Sequence, residues 1–145
     1  MSLPTIFAAL IFAANAIAAP DLAAVKAESN LERRSSRALE NADRAIDSAR
    51  DAYNAGNIDK ANADLDEVGD SVDVCSEALT GTGKHPRSSP KHFKRAELII
   101  GDLLRRLKTF ESDVNVDDRP AIQKAEHRLQ QVRDDLLSGI MSKKK

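Results

Sequence analysis

Cys75, His85, His92 and His127 are the side chains that could act as nucleophile, redox group or metal ligand. Their settings argue against each role. Cys75 lies in an apolar row, where a free thiol behaves as a small buried hydrophobe of low reactivity. Lys124 stands three residues before His127, where carboxylate-bridged metal bundles carry a glutamate. His85 and His92 could meet across a loop, but two ligands make a poor zinc site. No Cys-x-x-Cys-His haem attachment is present. "GTGK" (Gly81–Lys84) hints at a phosphate-binding loop. That motif needs a glycine where Ala78 stands, a Ser or Thr where His85 stands, and a strand before it. No enzymatic activity, cofactor or metal is expected.

Chemistry of another kind is offered by "GTGKHPRSSPKHFKR", Gly81 to Arg95. It carries Lys84, Arg87, Lys91, Lys94 and Arg95, and no acid. Its second half reads as a helix start, with Ser89 as N-cap and Pro90 at the first helical position. The helix macrodipole disfavours cations there. Cations and dipole would together favour an anion, held by Ser89 and nearby backbone N–H groups. Lys84, Arg87, Ser89, Lys91, Lys94 and Arg95 are therefore the candidate anion-binding residues. The competing reading is a solvated loop whose cations pair with Glu32, Glu77 or Glu97.

The elements that must position this stretch are helices. Leu31, Ser35, Ala38, Ala42, Ala45, Ala49 and Ala52 form one row at three-four spacing, flanked by Leu39, Ile46 and Tyr53. Gly56 then stops the helix as a left-handed residue. Ile58, Ala61, Leu65, Val68, Val72, Cys75 and Leu79 form a second row. Phe93, Ala96, Ile100, Leu103, Leu107, Phe110 and Val114 form a third. Ile122, Ala125, Leu129, Val132, Leu136 and Ile140 form a fourth, which starts near Asp118-Arg119-Pro120. Four such helices with short connections predict an all-α, antiparallel up-down four-helix bundle over residues 31–142. Residues 19–30 are an extension or the start of the first helix, and 143–145 a basic tail. A three-helix bundle, or two hairpins pairing in a dimer, are the alternatives.

The first twenty residues, "MSLPTIFAALIFAANAIAAP", carry no charged side chain. Ile6 to Ala14 is apolar, and Ala16-Ile17-Ala18 matches an A-x-A cleavage pattern, although no Lys or Arg precedes the apolar run. Residues 1–18 are expected to be a cleaved secretory signal, giving an exported chain that starts at Ala19 and has no transmembrane helix. The apolar run is short for a membrane span. One cysteine allows no internal disulfide, so packing must supply the stability.

The chain has 145 residues, enough for one domain, and a formal charge of -1. Near neutrality argues against a dedicated nucleic-acid binder. An up-down bundle would redistribute that charge. Arg33, Arg34, Arg37, the 84–95 cations and Lys143–Lys145 would meet at one pole, half of the 22 basic residues. Asp51, Asp59, Glu111, Asp113, Asp117 and Asp118 would meet at the other, diluted by Lys108 and Arg119.

"AYNAGNIDKANADL" (Ala52–Leu65) resembles the inner turn of a tetratricopeptide repeat. It occurs once, with no 34-residue period, and is read as shared helix-turn-helix chemistry. "SPKHFKRAEL" and "DDRPAI" are similar to stretches in uncharacterised exported helical proteins of bacteria. That resemblance covers most of the mature chain and implies a class and a compartment, but no activity. The expected function is a non-catalytic exported or envelope-associated interaction module. Its basic pole would dock an anionic envelope component or a protein partner. Salt-sensitive head-to-tail self-association, or a metal-binding bundle, are the alternatives.

Overall fold

A computed structural model describes residues 19–142; the expected signal segment 1–18 and the lysine tail 143–145 lie outside the described residues. The fold is all-helical. Helices α1 (Leu22–Lys26), α2 (Leu31–Asn54), α3 (Ile58–Gly81), α4 (Lys91–Asp113) and α5 (Arg119–Met141) follow in order, with a 3-10 turn at Val116–Asp118 before α5. Among the described residues no helix is long and apolar enough to cross a membrane.

The α2–α3 hairpin is set by local capping and turn residues. Asn30 and Asn57 cap α2 and α3, each side-chain oxygen accepting from a backbone N–H three residues on, at 2.8 and 3.1 Å. Gly56 adopts φ +78 after α2, the left-handed value that lets the chain reverse into α3. Asn57 N–H then closes the turn onto the Ala52 carbonyl at 2.8 Å. The four apolar rows become the core. Ala38, Ala42, Ala45 and Ala49 are fully buried, as are Val68, Val72, Cys75, Ile100, Leu107 and Leu129.

Chain directions alternate along the bundle. Within the α2–α3 hairpin, Ser48 donates to Asp64 at 2.6 Å and Asn41 to Ser71 at 3.0 Å. Within α4–α5, Arg133 Nε donates to Glu97 at 2.8 Å and Lys108 pairs with Glu126 at 3.0 Å. The lateral order departs from a simple round of neighbours. α4 lies beside α2 and parallel to it: His92 meets Glu32 at 3.2 Å, Arg50 meets Asp113 at 3.6 Å, and the Asn115 N–H donates to the Tyr53 hydroxyl at 2.9 Å. α5 lies parallel beside α3, through Lys124–Asp66 at 3.2 Å and Arg128–Asp70 at 2.8 Å. So residues 82–90 cross the end of the bundle between diagonal helices. Nine residues can span about 30 Å, and a bundle diagonal is only about 14 Å at normal helix spacing.

α1 is a separate element and not an early start of α2. Its first N–H groups dock on polar side chains of the hairpin: Asp21 N–H on Asn41 Oδ1 at 2.7 Å and Leu22 N–H on Glu67 Oε1 at 3.1 Å. Val25 is buried beneath it. Among the described residues the core runs from Val25 to Leu136.

Candidate functional site

The start of α2, the end of α3, the 82–90 crossing, the start of α4 and the end of α5 meet at one pole. This is the clustering that alternating helices require. Its cations fall into two sets. Arg33 and Arg37 pair with Glu28 at 3.6 and 2.8 Å, and Arg34 Nε donates to the Glu28 carbonyl at 2.7 Å. Lys84 pairs with Glu32, which also meets His92. The hydrogen bond from Lys84, with help from the His92 and Lys91 charges, holds the Glu32 carboxyl below its ordinary pKa despite some burial. Arg87 Nη1 donates to the Ser142 carbonyl at 3.0 Å, tying the crossing to the end of α5. That partner is neutral, and Arg87 enters no ion pair among the described residues.

Lys91, Lys94 and Arg95 form the second set. They are exposed on the first turns of α4 and enter no ion pair among the described residues. The helix itself begins one residue later than Ser89 and Pro90 suggest. Lys91 is its first residue, Pro90 occupies the N-cap, and no side chain caps it. Ser89 does not cap it; its own N–H is bound to the His85 carbonyl at 2.9 Å, closing a turn within the crossing. Any anion at this end would meet the N–H groups of residues 91–93 rather than that of Ser89. Of the six residues expected at the site, Lys91, Lys94 and Arg95 are grouped on one helix. Arg87 flanks them, while Lys84 and the Ser89 backbone are engaged elsewhere.

Arg95 also borders a groove of about 250 Å³ between the parallel helices α2 and α4. Leu39, Ile99 and Leu103 give it an apolar floor, and Glu40, Asp43 and Asp102 add acids to its walls. Arg106 closes the groove's far end by forking between Asp43 and Asp47.

The opposite pole holds an arrangement that its scattered acids did not announce. Glu126 is 8% exposed; its Oε2 accepts from Lys108, while Oε1 is buried without a hydrogen-bond donor. The Glu111 carboxyl lies within hydrogen-bonding reach of Glu126 and accepts from Gln123 at 2.8 Å. Burial is the main cause that raises the Glu126 pKa, with Glu111 adding to it and Lys108 opposing. Glu111 is pushed the other way, first by Gln123 and then by Glu126. The two neighbouring carboxyls are thus shifted in opposite directions, Glu126 up and Glu111 down. Arg119 lines a hollow with Lys108 and Glu111, its Nε buried without an acceptor among the described residues. The available signal was a glutamate beside an apolar row, next to Ala125 and three before Leu129.

The remaining chemical candidates are separated. Cys75 is fully buried, and burial pushes its thiol up to about 12. His85 Nδ1 accepts from the Arg87 N–H at 3.2 Å, His92 is paired with Glu32, and His127 is exposed. Among the described residues no three His, Cys, Asp or Glu side chains converge as a metal site would require.

No protein-family model, curated protein or solved structure matches the chain. The function is therefore argued from the site alone.

Proposed function

We propose that this protein is a non-catalytic exported module whose basic pole docks an anionic partner. The observation that carries the reading is the set Lys91, Lys94 and Arg95, exposed on one helix start and entering no ion pair among the described residues. Structural cations are usually consumed by neighbours, as Lys84, Arg106 and Arg128 are here. Three adjacent cations at an uncapped helix start concentrate positive charge where the dipole already favours an anion. Export is supported by the apolar opening segment and its Ala16-Ile17-Ala18 pattern.

The test is the variant Lys91→Gln/Lys94→Gln/Arg95→Gln, compared with the parent for binding to a soluble polyphosphate and to vesicles containing phosphatidylglycerol, at low and moderate salt. The parent is expected to bind at least one anionic surface, more weakly as salt rises. The variant is expected to lose most of that affinity and of its salt dependence. Equal binding by the two proteins would refute the basic pole as a docking site.

A further inference from the structure

We propose that the outer face of the first two turns of α4 is a bilayer-contact face, with Lys91, Lys94 and Arg95 on anionic lipid headgroups and Leu98 entering the acyl boundary. This rests on the basic-pole reading and names its partner as a lipid surface.

The argument starts from helical spacing. Successive residues turn by about 100°, so positions 91, 94, 95 and 98 share an arc of about 100° on α4. The opposite arc buries Phe93, Ala96, Ile100 and Leu103 in the core. Leu98 thus sits where the amphipathic pattern calls for a polar residue, and it is 65% exposed. Further along the same arc Asp102 and Arg105 pair with each other, so the cationic and apolar stretch ends after Leu98. Among the described residues the large apolar side chains this exposed are Leu98, Val116 and Met141. Two of them belong to the basic pole. Met141 is 77% exposed at the end of α5, the segment that Arg87 holds through the Ser142 carbonyl.

The combination selects among anionic partners. A soluble polyanion gains nothing from a leucine displayed among cations. A bilayer rewards both, because charge attracts the helix to the headgroups and apolar area anchors it below them. Single-stranded nucleic acid would want an aromatic platform, and Phe93, the nearest aromatic, is buried in the core. The contact area is small, so the expected binding is reversible and salt-sensitive.

The experiment uses the chain beginning at Ala19, its helical fold checked by circular dichroism, so that no apolar leader contributes to binding. Vesicles are phosphatidylcholine alone or in equal parts with phosphatidylglycerol, and soluble polyphosphate is the lipid-free anion. The chain has no tryptophan, so Leu98→Trp provides a single reporter at the proposed contact. Its emission is expected to shift to the blue with anionic vesicles and to stay unshifted with neutral vesicles or polyphosphate. Leu98→Asn is expected to weaken binding to anionic vesicles about tenfold and to leave polyphosphate binding unchanged. Each Lys→Gln at 91 or 94 is expected to weaken vesicle binding about fivefold. An unshifted reporter, with Leu98→Asn binding vesicles like the parent while the triple glutamine variant does not, would overturn the bilayer face and leave the basic pole standing. Binding of polyphosphate without anionic vesicles would overturn it in favour of a soluble polymer. Parent-like binding by the triple variant would remove both readings.

Discussion

Glu126 brings a carboxylate to a buried position where one of its oxygens has no donor. Burial is the main cause that raises its pKa, with Glu111 adding to it and Lys108 opposing. A group whose folded pKa is raised holds its proton more tightly folded than unfolded. Its contribution to stability is full below the ordinary carboxylate pKa and is lost as pH rises through the raised value. The charges that act on it are Lys108 and Glu111, both on α4. Glu126→Gln keeps a neutral donor and removes the titration. The stability of the variant relative to the parent is expected to increase with pH across the carboxylate range, read from urea midpoints at several pH values. A difference independent of pH would show that Glu126 titrates alike in the folded and unfolded chain. Cys75 gives a second test at this scale. With its pKa near 12 and no exposure, it should react with a thiol reagent only as fast as the bundle unfolds. Rapid labelling of native protein would mean that the α3 row is open.

At the scale of elements, the alanine row of α2 is the feature most sensitive to change. Ala38, Ala42, Ala45 and Ala49 are each fully buried, with Leu39 and Ile46 beside them. Small side chains let α3 pack close, and the hydrogen bonds from Asn41 to Ser71 and from Ser48 to Asp64 span that contact. Ala45→Leu must push the helices apart or strain a rotamer, so a loss of about 1–3 kcal/mol is expected in denaturant unfolding. A neutral result would mean that the α2–α3 contact is loosely packed. The helices and this row were legible because a three-four repeat is a local signal, written side chain by side chain. Caps were less so. Gly56 behaves as its residue type demands, whereas α4 begins at Lys91 after Pro90 with no side-chain cap from Ser89.

At the scale of the whole molecule, charge is separated although the total is -1. The basic pole splits into cations that hold the fold and cations that do not. This separates function from stability in one variant. Lys91→Gln/Lys94→Gln/Arg95→Gln removes exposed side chains that enter no ion pair among the described residues. Its unfolding free energy should stay within about 0.5 kcal/mol of the parent, as for most surface changes. A larger loss would assign those residues to the fold.

Helix identity, the four buried rows, the Gly56 turn and the convergence of cations at one pole could all be read from residue order. Each depends on spacing within a helix or on the alternation of chain direction. Which helices lie side by side could not. A nine-residue crossing is long enough for a neighbouring or a diagonal return, and the apolar rows suit either. Contacts between α2 and α4 and between α3 and α5 decided it. The same contacts decided which cations are consumed, since Lys84 reaches Glu32 across 52 residues of sequence. Side-chain pairing across the α4–α5 hairpin likewise set Glu126 against Lys108. Long polar side chains choose partners by distance in space, and a sequence period records only distance along one helix.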